Sequence, residues 1–139
     1  HVNIVTGSQR GEVFTALPKI DGTNSFLAKD YDELVDSPIV VAEAPSYRFK
    51  IDNHDYVLVN VGENEFWDGK QAAVDVGKIV RQSQWIWQVN PLEKPYWFLN
   101  LIIGAGGGLE HDHSTVLMTG RTQPRTRSGY IKWLGLVAH

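Results

Sequence analysis

The chain has 139 residues, 42% of them hydrophobic and 21% charged, with five tryptophans, five phenylalanines, no cysteine and a net charge of −3. That is one domain, or one piece of a larger one, with enough apolar material for an aromatic core; the missing cysteines exclude disulfides, thiolate zinc sites and cysteine nucleophiles. No stretch approaches the roughly 18 apolar residues of a membrane span, and His1 to Gly11 is too polar for a signal peptide, which leaves the compartment undefined.

The charge is unevenly placed. After Asp112 there are four bases, Arg121, Arg125, Arg127 and Lys132, and no acid, so the first 112 residues hold nine bases against sixteen acids. A basic tail can bind nucleic acid. Here the arginines sit in a Gly/Pro/Thr/Ser loop without interleaved aromatics for base stacking, so a solvated loop is expected and no nucleic-acid partner.

In chain order, residues 1–24 read as strand-rich, with Glu12 to Leu17 the best strand and Asp21-Gly22 a turn. Ser25 to Leu34 reads as a loop with a short helical turn, broken at Asp36-Ser37-Pro38, and Ile39 to Ala42 as a strand. Tyr47 to Ile51 and Tyr56 to Val61 form a hairpin around Asn53-His54-Asp55. Tyr56, Leu58 and Asn60 alternate with Val57, Val59 and Val61, so both faces of the second strand are expected to be covered. Gln71 to Gln88 changes period: Val76, Ile79, Val80, Ser83 and Trp87 recur at helical spacing, ended by Pro91 and Pro95. Tyr96 to Ile103 is a strand, Gly104 to Gly108 a glycine turn, Thr115 to Thr119 a strand and Gly120 to Gly129 a loop. Ser128 is placed to cap a last helix from about Tyr130, whose apolar pattern stops at the chain end in mid-stripe, as in a truncated chain. The fold expected is α+β: a mixed or antiparallel sheet with one long packed helix and the start of a second.

Ile102 to Leu109 imitates a dinucleotide-binding turn. Leu109 stands where the third glycine belongs, no acid follows Asp112, and the next segment is β-branched rather than helical, so that reading fails. A second candidate is metal binding by His111 and His113, with His54 or Glu63 completing a three-ligand site.

Gly107-Gly108-Leu109-Glu110-His111, with Ser114 three further on, resembles the Gly-Gly-Leu-Glu-His-x-x-Ser motif of the glycyl aminopeptidase family of zinc metallopeptidases, within the thermolysin-like superfamily. Leu34-Val35-Asp36-Ser37-Pro38 is similar to an earlier segment of that family. Gly135-Leu136-Val137-Ala138-His139 resembles the lead-in to its His-Glu-x-x-His motif, with His139 as first histidine. The resemblance implies that residues 1–24 end a preceding β domain. It implies that 25–139 form the N-terminal sheet portion of a metallopeptidase catalytic domain, cut before the zinc site is complete. Glu110, with Gly107 and Gly108, then binds the free amino terminus of a peptide substrate, supported by His111 and Ser114, and His139 is a zinc ligand only in the complete enzyme. The parent hydrolyses small N-terminal residues such as Gly or Ala using zinc. This piece is expected to bind zinc weakly, to be inactive alone, and to self-associate through its last helix. A periplasmic or exported location follows from the resemblance only. The alternative is a free-standing, non-catalytic β-rich binding module using Trp67, Trp85 or Trp97 on a partner.

Overall fold

The computed structural model describes residues 2–3, 11–88, 93–104 and 106–139. Its elements are β1 (Val2–Asn3), β2 (Glu12–Phe14), β3 (Ser25–Phe26), α1 (Tyr31–Val35), β4 (Val40–Ala42), β5 (Ser46–Ile51) and β6 (His54–Val61). Then follow α2 (Gly69–Trp87), β7 (Tyr96–Leu101), β8 (Gly107–Glu110), β9 (Ser114–Met118), a 3-10 turn (Gln123–Arg125) and α3 (Arg127–Val137). The architecture is α+β, as the periodicities predict.

The main sheet has the order β5-β6-β7-β9-β8. Its outer pairs, β5 with β6 and β8 with β9, are antiparallel, and its inner pairs, β6 with β7 and β7 with β9, are parallel. A parallel pair needs a crossover, and α2 supplies it between β6 and β7. Among the described residues the two strands at the ends, β5 and β8, each pair on one side only.

Strand β6 is covered on both faces because its two side-chain rows enter two cores. Tyr56 and Leu58 join Ile51, Trp67, Ala72, Val76, Phe98, Leu117 and Trp133 beneath α2 and α3. Val57 and Val59 join Phe14 and Leu99 beneath the β2–β4 ribbon, which pairs Glu12 with Ala42 and Phe14 with Val40. Each fully buried valine or leucine of this kind stabilises the fold by about 1.5–3 kcal/mol.

Four local expectations shift. The hairpin turns at Asp52-Asn53, both with positive φ (47° and 69°), while His54 and Asp55 already belong to β6. Two successive positive-φ residues match the twist of the flanking strands, and Asn and Asp tolerate that conformation. Strand β2 ends at Phe14 rather than Leu17. Helix α3 begins at Arg127, capped not by Ser128 but by Thr126, whose hydroxyl accepts from the Gly129 amide at 3.1 Å. Gly129 is obligatory there, since a Cβ would lie 1.8 Å from the Gln123 carbonyl oxygen.

The fourth concerns α2, which starts at Gly69 with Asp68 accepting from the Gln71 amide at 2.9 Å. Its apolar stripe does not stay buried to Trp87: Trp85, Ile86 and Trp87 are exposed. A helix of 19 residues is roughly 28 Å long, whereas the six residues of β5 span about 20 Å. The helix therefore outruns the edge strand β5. It closes at Gln88 in the left-handed conformation; Pro91 lies outside the described residues, as do His1 and Ala105 of the glycine segment.

Candidate functional site

Glycine-rich residues 107–110 form the edge strand β8 rather than a turn, antiparallel to β9, with Glu110 opposite Thr115. Gly107 has φ +136°, a conformation that side chains rarely adopt, so its glycine is required by the backbone. Gly108 is different. A Cβ there would meet Leu136 of α3 at 3.4 Å, an ordinary contact.

Beyond Glu110 the chain turns through Asp112 and His113. The His111 amide donates to the Ser114 carbonyl at 2.8 Å, and the Trp97 amide donates to the His113 carbonyl at 3.0 Å, which ties the turn to β7. Ser114 fixes this turn through its backbone; its hydroxyl is buried without a hydrogen-bond partner among the described residues.

Asp36 reaches the same turn from the far end of α1. One carboxylate oxygen lies 3.0 Å from His111 Nδ1, and the other accepts from the Asp112 amide at 2.8 Å. The amide first and the imidazole second hold the Asp36 carboxyl below the usual carboxylate range. Asp36 belongs to Leu34-Val35-Asp36-Ser37-Pro38, so two motifs read separately in the sequence meet at one hydrogen-bonded turn. Behind it, Tyr96 is pushed up to about 12 by burial, then by the nearby negative charges of Glu110 and Asp36.

Glu110 itself is open to solvent, with its side chain 59% exposed, and its Oε1 lies 3.4 Å from His139 Nδ1. The two residues are brought together by α3, whose placement has a polar cause. Trp133, fully buried, donates its indole N–H to Asn100 Oδ1 at 3.1 Å, and Asn100 donates to Asn60 at 2.9 Å. Asn60 in turn donates to Glu63 at 2.6 Å, and Glu63 accepts from the Tyr47 hydroxyl at 2.7 Å. Buried amides without partners cost free energy, so this chain of donors and acceptors selects one rotation of α3 on the sheet. Asn60 and Asn100, opposite each other in register, were visible as polar residues inside apolar strands; nothing in the sequence marked their partnership with Trp133.

The His-x-His arrangement does not assemble. His111 and His113 sit at the turn rather than alternating on a strand, His111 is turned to Asp36, and both Glu63 oxygens are occupied by Tyr47 and Asn60. Among the described residues no group of three His, Asp or Glu side chains could hold a metal ion, so His139 and Glu110 do not by themselves make up a zinc site. Of the three tryptophans proposed for partner binding, Trp67 is buried against Trp133 in an edge-on contact. Trp97 is partly buried beneath the Arg48 guanidinium, and Trp85 is exposed. Among the described residues no helix is long and apolar enough to cross a membrane.

Two comparisons with known proteins support a peptidase-family relationship for this chain. The Peptidase M61 N-terminal domain family matches residues 2–43, the segment that holds both two-stranded ribbons and stops before β5. The crystal structure of an aminopeptidase N family protein from Idiomarina loihiensis superimposes with a TM-score of 0.82 at 26% sequence identity, over 93% of this chain. The chain spans 24% of the length of that protein. No curated protein matches.

Proposed function

We propose that this chain is part of a zinc-dependent aminopeptidase that removes small N-terminal residues such as Gly or Ala from peptides, and that it contributes the amine-recognising strand. The observation that carries the reading is Glu110: an exposed carboxylate at the end of edge strand β8, beside His139 at the end of α3. A substrate backbone lying along β8 is held by strand addition. Its terminal ammonium then donates to Glu110, a charge-assisted hydrogen bond stronger than a neutral one. Gly107 and Gly108 present no side chain to the approaching backbone, and the turn held by Asp36 keeps Glu110 at a defined height. Ser114 and His111 support this geometry rather than touch substrate.

Zinc would belong to the whole enzyme in this reading, where it would supply Lewis-acid chemistry at the scissile carbonyl. His139 is one of its ligands. The other ligands and the general base belong to residues beyond this chain, so the isolated chain is expected to bind zinc weakly and to leave glycyl amides intact. In this reading residues 1–24 belong to the end of a preceding β domain and residues 25–139 to the sheet portion of the catalytic domain.

Two experiments test the proposal. The natural coding sequence is expected to read Glu-x-x-His directly after His139, and any other continuation removes His139 as a ligand. In the full-length protein, Glu110→Ala is expected to lower kcat/KM roughly 10–100-fold for substrates with a free amine, the worth of one hydrogen bond to a charged group. End-blocked peptides should change little. An equal loss on both substrate types would take the amine-binding role from Glu110.

A further inference from the structure

The opposite edge of the sheet carries a second groove that the peptidase reading does not use. It runs between β5 and α2 with a volume of about 560 Å³, walled by Tyr47, Phe49, Ile51, Ala73, Val74 and Gly77. Its rim is cationic: Arg48, Lys50, Lys70, Lys78 and Arg81 all line it, and no Asp or Glu does. The first 112 residues contain nine bases against sixteen acids, so five of the nine bases of an acidic segment gather at one groove.

The rest follows from the periodicities of the two walls. On β5, Ser46, Arg48 and Lys50 are exposed while Tyr47, Phe49 and Ile51 are more deeply set, so the cations and the apolar residues occupy opposite faces. On α2, Lys70, Ala73, Val74, Gly77, Lys78 and Arg81 recur at three- and four-residue steps and form one helical stripe facing the groove. Gly77 leaves room here; a Cβ would already touch Phe49 and Ile51 at 3.5 Å. Lys50 pairs with Asp55 at 3.5 Å and Lys78 with Asp75 at 2.7 Å. Lys70 and Arg81 make no ion pair among the described residues.

We propose that β5 and α2 form a docking site for an acidic, extended peptide segment that adds as a sixth strand to the edge of β5. Among the described residues β5 is paired on one side only, and a strand in that position presents backbone donors and acceptors outward. An added strand turns alternate side chains to the two faces. Those facing α2 meet the apolar wall with Lys70 and Arg81 at its rim, and those on the other face meet Arg48 and Lys50. The matching sequence alternates acidic and apolar residues. The same cations repel the β5 edge of a second copy of the chain, so they select an anionic strand and oppose self-pairing. This inference does not depend on the assignment of β8 or Glu110.

The test uses an end-blocked peptide of alternating glutamate and valine, about ten residues long, titrated into the isotope-labelled chain at low salt. Amide shifts are expected along 46–51 and 70–81, with affinity at least tenfold weaker for the double variant Lys70→Glu/Arg81→Glu and falling as salt screens the charges. Both positions are exposed, and an unchanged spectrum elsewhere shows that the variant is folded. A peptide with alternate backbone amides methylated should bind at least tenfold more weakly, because it cannot pair with the edge. No binding, or binding indifferent to the charge reversal, overturns the proposal. Equal binding of the methylated peptide or of a single-stranded oligonucleotide overturns it too, by reducing the groove to a general anion surface.

Discussion

Asp36 and His111, 75 residues apart in the chain, are joined by a 3.0 Å contact between a carboxylate oxygen and Nδ1, while the second oxygen of Asp36 takes the amide of Asp112. One side chain at the end of a five-residue helix thus anchors both the imidazole and the backbone of the turn that follows Glu110. It is the link between the N-terminal third of the chain and the edge of the sheet that carries the candidate site.

Asp36→Ala is therefore expected to loosen that turn while sparing the core. Two hydrogen bonds to a partly exposed carboxylate are worth about 1–2 kcal/mol together. Urea denaturation should show that loss, and hydrogen exchange should quicken at the amides of Asp112 and His111 more than in β6 or β7. Loss of protection throughout the sheet would mean that Asp36 has a global role.

Acid should weaken the fold through the same group. The Asp36 carboxyl is held below its ordinary value, as is that of Glu33, by the Lys29 amide and then the Lys94 ammonium. Burial pushes Asp75 upward, but Lys78, Gln71 and Tyr130 outweigh it and leave that carboxyl low as well. A carboxyl lowered in the folded state contributes stability that is complete above its unfolded value, roughly pH 4, and is lost as pH falls through the folded value. The urea midpoint should thus be flat from about pH 7 to 5 and then drop as the carboxyls protonate. In Asp36→Asn the drop should be shallower, and an unchanged acid limb would contradict this account.

The polar chain beneath α3 gives a sharper stability effect. Asn100→Leu removes the acceptor of the Trp133 indole and the donor to Asn60, orphaning two buried groups at about 1–3 kcal/mol each. Trp133→Phe leaves Asn100 short of one donor and also opens a void, at a cost of about 2–3 kcal/mol. Thermal unfolding of the two single variants and the double measures their coupling. Simple additivity would show that the indole hydrogen bond is not shared as drawn.

The two glycines of β8 should respond differently. Gly107→Ala forces a side chain onto φ +136° and is expected to cost about 1–3 kcal/mol. Gly108→Ala places its methyl against Leu136 at ordinary contact distance and should change stability by less than about 1 kcal/mol. A reversal of that order in thermal melts would place the strain elsewhere in the strand.

How much of this was legible depended on whether the signal was local. The hairpin of β5 and β6, the two covered faces of β6 and the existence of α2 followed from alternation and helical spacing, because those patterns reflect burial repeated along one element. The sequence favours Asn53-His54-Asp55 for the hairpin turn because it is richer in turn-like residues, and only the strand register moves the turn to Asp52-Asn53. Helical spacing carries the stripe of α2 on to Trp87, which is exposed, because periodicity reports an amphipathic face and not the length of the surface beneath it. An aromatic residue in a loop gives no local sign of burial, and Trp67 is buried because Trp133 of α3 packs against it.

The sequence by itself determined the α+β class, the order of the elements and the segment that ends in Glu110, because local patterning and a short motif carry that information. Only the tertiary structure decided that residues 107–110 are an edge strand, that Asp36 holds the turn beyond it, and that α3 brings His139 beside Glu110. It also decided that five cations of β5 and α2 line one groove. Those relationships join residues tens of positions apart, and they are set by sheet order and by buried polar partners, neither of which is encoded in the spacing of residues along any one element.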